Sequence, residues 1–249
     1  MHPARISDLL QPFLSPISNP CHSESGRRPG EEPAVLSNNQ LQHISTYIDL
    51  LLRWNARINL TAIRNEEEIV TRHFGESLFA ARHLFPGPSS AHSAASAVKD
   101  FDFDSAEARS PKAEARVADV GSGAGFPGIP IKLWAPNITL TLIESNHKKA
   151  TFLREVVRSL TLTGIDIQNT RAEAITQTFD VVTLRAVEHF AEILPVAARL
   201  LAPTARLALL IGSSQLNDAH SALPALSWQN PIPVPESQSR LLLIGTLHQ

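Results

Sequence analysis

The stretch Val117-Ala-Asp-Val-Gly121-Ser-Gly123-Ala-Gly125-Phe-Pro-Gly128 carries the most structural information in the chain. A hydrophobic run leads directly into three glycines that alternate with other residues, and Pro127 is tolerated in a first helical turn, where N–H groups have no internal partners to lose. Glycine lets a ligand approach the backbone closely, and the following helix directs free N–H groups to the same place. The stretch therefore predicts a strand, a ligand-binding loop and a helix.

The residues alone leave two cofactor classes open for this loop. Gly123-x-Gly125-x-x-Gly128 matches the dinucleotide fingerprint, although the strand is predicted to end at Val120, so the triplet starts late. A Walker phosphate loop is excluded because no Gly-Lys-Ser/Thr follows. Glu144 ends the next predicted strand, where an acid can accept hydrogen bonds from the ribose hydroxyls of a nucleoside. Both an adenosyl and a nicotinamide cofactor carry such a ribose.

Strand and helix patterns alternate through the second half of the chain. Helices are predicted at 145–160 and 187–201, whereas the prolines of 213–238 prevent an assignment there. This alternation predicts an α/β, Rossmann-like fold with a mostly parallel sheet and helices on both faces. The predicted strands are 116–120, 138–143, 165–168, 179–184, 206–211 and 241–247.

The pattern divides the chain into four regions. Residues 1–36 form an N-terminal extension with a short helix and a flexible part, and residues 37–86 form a helical region. Within the latter, Ser37 and Gln40 predict a capping box, and a second helix is predicted to begin near Asn65. Residues 87–114 are a low-complexity loop, rich in Ser and Ala, that cannot bury a core. Residues 115–249 form the cofactor-binding domain.

Composition sets limits on function. The 249 residues are 43% hydrophobic and 18% charged, which is typical of a folded globular protein. No apolar run approaches the roughly 20 residues that span a bilayer, and the N-terminus lacks a signal-peptide pattern. We therefore expect a cytoplasmic protein with no membrane partner. The single cysteine, Cys21, and the absence of zinc-ligand spacing predict no metal site. The net charge of −2 argues against a general nucleic-acid coat protein but permits a local basic patch.

Three blocks of the sequence resemble the bacterial 16S ribosomal RNA guanine-N7 methyltransferases, the glucose-inhibited division protein B family. The first block, which begins at Trp54, is specific to that family, whereas the other two indicate only the wider class of methyltransferases. The blocks are Trp54-Asn-Ala-Arg-Ile-Asn-Leu-Thr-Ala-Ile-Arg64 with Arg72-His-Phe74, Asp119-Val-Gly-Ser-Gly-Ala-Gly-Phe-Pro-Gly-Ile-Pro130, and Phe179-Asp-Val-Val-Thr-Leu-Arg-Ala186.

The resemblance implies a class I S-adenosyl-L-methionine-dependent methyltransferase with a seven-stranded sheet and a small helical N-terminal region. Its substrate would be 16S ribosomal RNA, free or in a small ribosomal subunit particle, and we expect a monomer. The cofactor contacts that the resemblance implies are Gly121, Phe126, Glu144, Ala172, Glu173 and Arg185, and the loop adds Gly123 and Gly125.

For RNA contact we favour the arginines in and near the first block, because arginine pairs with phosphates and stacks on bases; the alternative is that they form a solvated face. The candidates are Arg53, Arg57, Arg64, Arg72 and His73. Packing in a helix remains the favoured interpretation of His73, and core packing that of Trp54. A second basic cluster, Lys148, Lys149, Arg154 and Arg158, is interpreted as solvated surface.

The chain departs from the family pattern in its charges. Glu76 stands where an aspartate is usual, no lysine occurs beside Gly212, and the C-terminal lysine is absent. Guanine N7 carries a lone pair and no proton, so no general base and no catalytic residue is predicted. Asp119 or Glu76 could stabilise the cationic product purine. The alternatives are a nicotinamide-dependent reductase and a non-catalytic, RNA-binding ribosome assembly factor.

Overall fold

A computed structural model describes residues 1–15, 34–85, 115–187 and 189–247. The predicted low-complexity loop at 87–114 and nearly all of the predicted flexible segment of the N-terminal extension lie outside these residues.

The N-terminal region is a group of helices, with bounds α1 Pro3–Leu14, α2 Asn38–Ile58, α3 Glu66–Glu68, a π-helical segment Ile69–Gly75, and α4 Glu76–Leu84. The capping box is confirmed: Ser37 Oγ accepts from Gln40 N at 3.3 Å, and Gln40 Oε1 accepts from Ser37 N at 2.7 Å. Asn65 caps α3 as predicted by accepting from Glu68 N at 3.0 Å. α1 buries Ile6, Leu10, Phe13 and Leu14 and contacts α2 and the π segment.

The strands of the described residues form one sheet, which confirms the predicted α/β, mostly parallel architecture. Its strands are β1 Arg116–Val120, β2 Thr139–Ile143, β3 Ile165–Gln168, β4 Phe179–Arg185, β5 Leu201–Gly212, β6 Leu226–Trp228, β7 Ile232–Pro233 and β8 Arg240–Leu247. Within the described residues, seven strands follow the order β3-β2-β1-β4-β5-β8-β6, and the two-residue β7 pairs with β8 outside this path. β1 to β5 are parallel, and β8 runs antiparallel to β5.

Helices cover both faces of the sheet, as the alternating pattern predicts. α5 Gly128–Trp134, α6 His147–Ser159 and the N-terminal helices share one core cluster with Val117 and Val181. α7 Phe190–Arg199 and α8 Leu216–Ala222 share the second cluster with Ala118 and Val182. Successive side chains of a strand point to opposite faces, which explains why neighbouring residues of β1 belong to different clusters.

The boundaries of β5 and α7 differ from the prediction. The predicted helix 187–201 ends at Arg199, and Leu201 already pairs with Phe179. The next pair joins Val181 to Arg206, so four residues of β5, 202–205, lie opposite one residue of β4, Asp180, and the strand starts earlier than its hydrophobic run. A bulge of this kind interrupts the alternation of apolar residues on which the prediction rested.

Candidate cofactor crevice and its connection to the N-terminal region

The glycine loop between β1 and α5 adopts backbone angles that favour glycine. Gly121, Gly123 and Gly125 have φ values of +69°, +56° and +86°. A Cβ atom at Gly121 would lie 2.7 Å from Val187 Cγ1, and one at Gly125 would meet the Tyr47 hydroxyl and Ile129. Gly121 N and Ser122 N donate to Ile143 O at 3.0 and 3.1 Å, so the loop folds across the end of β2. Backbone angle and space together therefore require glycine at positions 121 and 125.

Asp119 lies beneath this loop rather than in the crevice. Its carboxyl group is buried, accepting from Thr183 Oγ1 at 2.8 Å and from Gly128 N at 3.2 Å. Burial raises the pKa of Asp119 to about 7, although these hydrogen bonds act in the opposite direction. The side chain thus joins β1, β4 and the start of α5. This position gives no support to the hypothesis that Asp119 stabilises a cationic product.

A crevice of about 580 Å³ opens at the carboxyl ends of β1, β2 and β4. It brings together four of the predicted cofactor residues, Gly121, Glu144, Ala172 and Glu173. Ala172 and Glu173 belong to a short 3₁₀ turn after β3. Cavities of roughly 300–1,000 Å³ are typical of sites for small-molecule ligands, and this edge of an open parallel sheet is where such ligands bind.

Glu144 follows β2 directly and organises the floor of the crevice. Its Oε2 accepts from Gly123 N at 2.8 Å, and its Oε1 accepts from Asn146 N at 2.7 Å. Asn146 in turn caps α6 by accepting from Lys148 N at 3.0 Å and Lys149 N at 3.2 Å. Each carboxylate oxygen has a second lone pair, so Glu144 can still accept hydrogen bonds from a ligand.

Phe126, a predicted cofactor contact, is buried on the other side of the loop. Its ring stacks on Tyr47 with centroids 5.3 Å apart and on His73 with centroids 4.7 Å apart. Phe74 meets the same ring edge-on at 5.1 Å. The side chain therefore attaches the glycine loop to the N-terminal helices and does not line the crevice. Gly123 and Gly125 shape the loop without lining the cavity.

Arg185, the last residue of β4, also points into the N-terminal region. Nε and Nη2 donate to Glu76 Oε2 at 3.2 and 2.9 Å, and Nη2 donates to Arg72 O at 2.6 Å. The Arg185 and Glu76 side chains are 7% and 3% exposed. Burial lowers the pKa of Arg185, and the Glu76 carboxylate opposes this shift. The geometry gives no support to a cofactor contact by this side chain, and Glu76 is likewise engaged in an ion pair.

His73 continues this network towards the first sequence block. Arg185 Nη1 lies 3.0 Å from His73 Nδ1, and because arginine only donates, Nδ1 accepts and Nε2 carries the proton. Nε2 then donates to Thr61 Oγ1 at 2.8 Å. Burial, followed by the charges of Arg185, Arg72 and Arg240, lowers the pKa of His73 to about 3, so the ring is neutral near pH 7. His73 is buried and does not lie with the exposed arginines.

Asn55 completes the network and explains the unusual first block. Its Nδ2 donates to Thr61 O, and its Oδ1 accepts from Thr61 N, both at 2.9 Å. Asn59 ends α2 with a left-handed φ of 48°. A continuous hydrogen-bonded path thus runs from Asn55 through the backbone and side chain of Thr61 to His73, Arg185 and Glu76. The block links the N-terminal helices to the end of β4, two residues before Val187 in the crevice wall.

The arginines predicted to bind RNA remain on the surface. Arg53, Arg57, Arg64 and Arg72 are exposed. Arg53 Nε donates to Asp49 O at 3.3 Å, and Arg72 pairs with Glu68 one turn away at 3.3 Å. Trp54 is half-buried against Phe152, as favoured, and its Nε1 donates to Glu155 Oε2 at 3.0 Å. In the second basic cluster, Lys148, Arg154 and Arg158 are exposed, whereas Lys149 is half-buried and lines the crevice.

Two residues that stabilise the structure, Tyr47 and Lys132, were not predicted from the sequence. Tyr47 donates its hydroxyl hydrogen to Ala124 O in the glycine loop while its ring stacks on Phe126. It is the only tyrosine in the chain and occupies an apolar position of α2, which is the one signal that could have singled it out. Lys132 is buried in α5, where Nζ donates to Pro136 O at 2.8 Å and to Ile138 O.

Among the described residues, no group of three or more His, Cys, Asp or Glu side chains is placed to hold a metal ion. The helices in the described part of the chain include none that is both long and apolar enough to cross a membrane.

Comparison with known proteins agrees with this geometry. The family model for rRNA small subunit methyltransferase G matches residues 40–89 and 101–234. The protein of that name from Xylella fastidiosa strain 9a5c is 39% identical over 157 residues, covering 62% of this chain but only 61% of that relative's length. The one from Chloroflexus aggregans is 32% identical over 228 residues, 85% of this chain and 83% of the relative.

A solved structure shares the fold. The ribosomal protein L11 methylase from Lactobacillus delbrueckii subsp. bulgaricus superposes with a TM-score of 0.53 at 15% identity, over 71% of this chain and 79% of that chain. This likeness confirms the Rossmann-like fold. By the match to the family model and by the similarity of its relatives, the chain belongs to the rRNA small subunit methyltransferase G family.

Proposed function

We propose that this chain is an S-adenosyl-L-methionine-dependent methyltransferase that methylates N7 of a guanine in 16S ribosomal RNA. One observation carries the proposal: in a chain of this family, Gly121, Glu144, Ala172 and Glu173 converge on one crevice at the carboxyl edge of the sheet. The relatives from Xylella fastidiosa and Chloroflexus aggregans are named as methyltransferases of small-subunit ribosomal RNA.

The crevice fits a nucleoside cofactor. The free lone pairs of the Glu144 carboxylate would accept from the two ribose hydroxyls, and the turn at Ala172 and Glu173 would receive the adenine. Gly121 and Val187 line the crevice together, and because Gly121 has no side chain the ligand can approach its backbone closely. When bound, the cofactor supplies a methyl group on a sulfonium, ready for in-line displacement.

The residues of this chain would position the reactants rather than exchange protons. Guanine N7 attacks with a lone pair and loses no proton, so no general base is required among the residues of the crevice. The Asn55–Thr61–His73–Arg185–Glu76 network holds the N-terminal helices against β4, and the Tyr47–Phe126–His73 stack holds the glycine loop. Fixed orientation of this kind supplies much of the acceleration of a bimolecular transfer.

The RNA would approach over the exposed arginines of the N-terminal region, Arg53, Arg57, Arg64 and Arg72. Neutral His73 is buried behind them and would act through Arg185 rather than by pairing with a phosphate. Family membership favours neither a nicotinamide-dependent reductase nor a non-catalytic assembly factor. We also propose that the chain is a monomer with four regions, residues 1–36, 37–86, 87–114 and 115–249.

Cofactor binding and methyl transfer test the proposal together. Calorimetry should show binding of S-adenosyl-L-methionine but not of NAD or NADP, and Gly123→Val should abolish it because the residue has a left-handed φ of +56° in the ligand loop. Gly212→Val is the matched control, since its Cβ would make only ordinary contacts of 3.7 Å or more. The purified protein should transfer labelled methyl to small ribosomal subunits from cells that lack this gene.

Two results would contradict the proposal. Tight nicotinamide binding without a response to S-adenosyl-L-methionine would indicate the reductase. Intact RNA binding with no methyl transfer by protein that binds the cofactor would indicate the assembly factor.

A further inference from the structure

A second recess, of about 250 Å³, lies between the N-terminal region and the segment that joins β7 to β8. Phe13, Thr71, Arg72 and Glu76 line one side, and residues 235–240 line the other. We call it the arginine recess, after Arg72 and Arg240. These two arginines are far apart in sequence, so only the fold brings them to one cavity.

The arginine recess lies at the same edge of the sheet as the crevice. β8 runs antiparallel to β5, and its first residue, Arg240, pairs with Gly212 at the carboxyl end of β5. Arg185 pairs with Leu210 in the same strand. Glu76, the partner of Arg185, lines the recess, whereas Val187, two residues after Arg185, lines the crevice. The buried Arg185–Glu76 pair therefore lies between the two cavities.

The lining of the recess carries two arginines, Arg72 and Arg240, and two glutamates, and among the described residues neither arginine has a buried counter-charge of its own. The Glu76 carboxylate is already engaged by Arg185 at 2.9 Å. Arg72 pairs only with exposed Glu68, an interaction of the kind that contributes little to stability. The guanidinium of Arg240 makes no hydrogen bond or ion pair within the part of the chain that the structure describes. Exposed Glu236 is the other acid of the lining.

The positive charges of Arg72, Arg185 and Arg240 also repel one another. Burial is the main cause of the lowered pKa of Arg185 and of His73, and the charges of Arg240 and Arg72 lower both pKa values further. An anion in the recess would relieve this repulsion. Ser237 Oγ accepts from Arg240 N at 3.1 Å, which leaves its O–H free to donate to such an anion.

We propose that the arginine recess binds a phosphate of the ribosomal RNA close to the nucleotide that is methylated, with Arg72 and Arg240 as its cationic ligands. This rests on the proposed function. Planar guanidinium groups recognise phosphate through paired hydrogen bonds, and two of them on separate elements fix its position. The RNA would then contact both the N-terminal helices and the β7–β8 segment, with its backbone held beside the crevice.

The salt dependence of RNA binding tests this assignment. We would measure the affinity for 16S RNA made in vitro between 50 and 200 mM salt for Arg72→Gln and Arg240→Gln. Losing one phosphate contact reduces the slope of log K against log salt by about 0.7 to 0.9. The ratio of affinities at the two salt concentrations should therefore shrink by about threefold in each variant. Arg240→Lys keeps the charge and should keep the slope, and cofactor affinity should be unchanged in all three.

Arg116→Gln is the matched control, because Arg116 is an exposed arginine at the opposite edge of the sheet, at the start of β1, and is 52% exposed. Wild-type slopes in both Arg72→Gln and Arg240→Gln, or an equal loss of slope in Arg116→Gln, would overturn the assignment. Failure of the proposed function is distinct, because it would appear as absence of methyl transfer by the unaltered protein.

Discussion

Removing the Glu76 carboxylate should destabilise the protein far more than removing a surface acid. In Glu76→Ala, the Arg185 guanidinium would keep two neutral acceptors, His73 Nδ1 and Arg72 O, but lose its counter-charge at a site only 7% exposed. Leaving one member of a buried ion pair uncompensated costs about 3–5 kcal/mol. Whole domains are stable by only about 5–15 kcal/mol, so this loss is a large fraction of the total.

Urea unfolding measures this cost directly. With an m-value of about 3 kcal/mol per M, the urea concentration at the unfolding midpoint should fall by about 1–2 M, and the melting temperature should fall by about 10 °C. Glu68→Ala is the control, because Glu68 and its partner Arg72 are each 46% exposed, and such pairs contribute about 0.3–0.5 kcal/mol. The double variant Glu76→Leu with Arg185→Met should recover most of the loss. A cost in Glu76→Ala no larger than that in Glu68→Ala would refute the assigned role of the pair.

Three other substitutions, at Asp119, Gly125 and Tyr47, test the packing in and beneath the glycine loop. Because burial raises the pKa of Asp119 to about 7, the folded protein retains a proton that the unfolded chain loses near pH 4. The free energy of unfolding should thus fall, by up to about 1.4 kcal/mol per unit, as pH rises from about 4 to about 7. Asp119→Asn should remove this pH dependence, measured by urea unfolding at pH 5 and at pH 7. His73, whose pKa is lowered, makes the free energy of unfolding rise with pH below about pH 6.5, and it does so in both proteins. Gly125→Ala should melt well below Gly123→Ala, because only the former adds a collision to the left-handed strain; equal melting would contradict the packing described. Tyr47→Phe should cost about 1–3 kcal/mol, since it leaves a buried carbonyl without its donor; a thermal melt like that of the unaltered protein would count against that hydrogen bond.

Features set by near neighbours in sequence could be predicted. The Ser37–Gln40 capping box spans three residues, and the glycine loop follows its strand immediately. Glu144 was placed correctly at the crevice because a hydrophobic run ends just before it, and the carboxyl ends of parallel strands share one edge. Local propensity and the topology of parallel sheets are sufficient for these positions.

Features set by distant partners could not be predicted. Arg185 ends a strand at the ligand-binding edge, which suggests a cofactor contact, but Glu76, 109 residues earlier, draws its side chain into the N-terminal region. The family resemblance implied a cofactor contact by Phe126, but nothing near it in sequence indicates that its ring stacks on Tyr47, 79 residues earlier. The π-helical turn around His73 has no sequence signal that we could recognise. Such positions depend on how the N-terminal helices dock on the sheet.

Methylation mapping of 16S ribosomal RNA tests the central claim most directly. RNA from cells with and without this gene, and from cells that carry Gly123→Val in its place, would be cleaved chemically at N7-methylguanosine and read by primer extension. We predict one cleavage site that is present with the intact gene and lost in both other strains. The same N7-methylguanosine sites in all three strains would contradict the account.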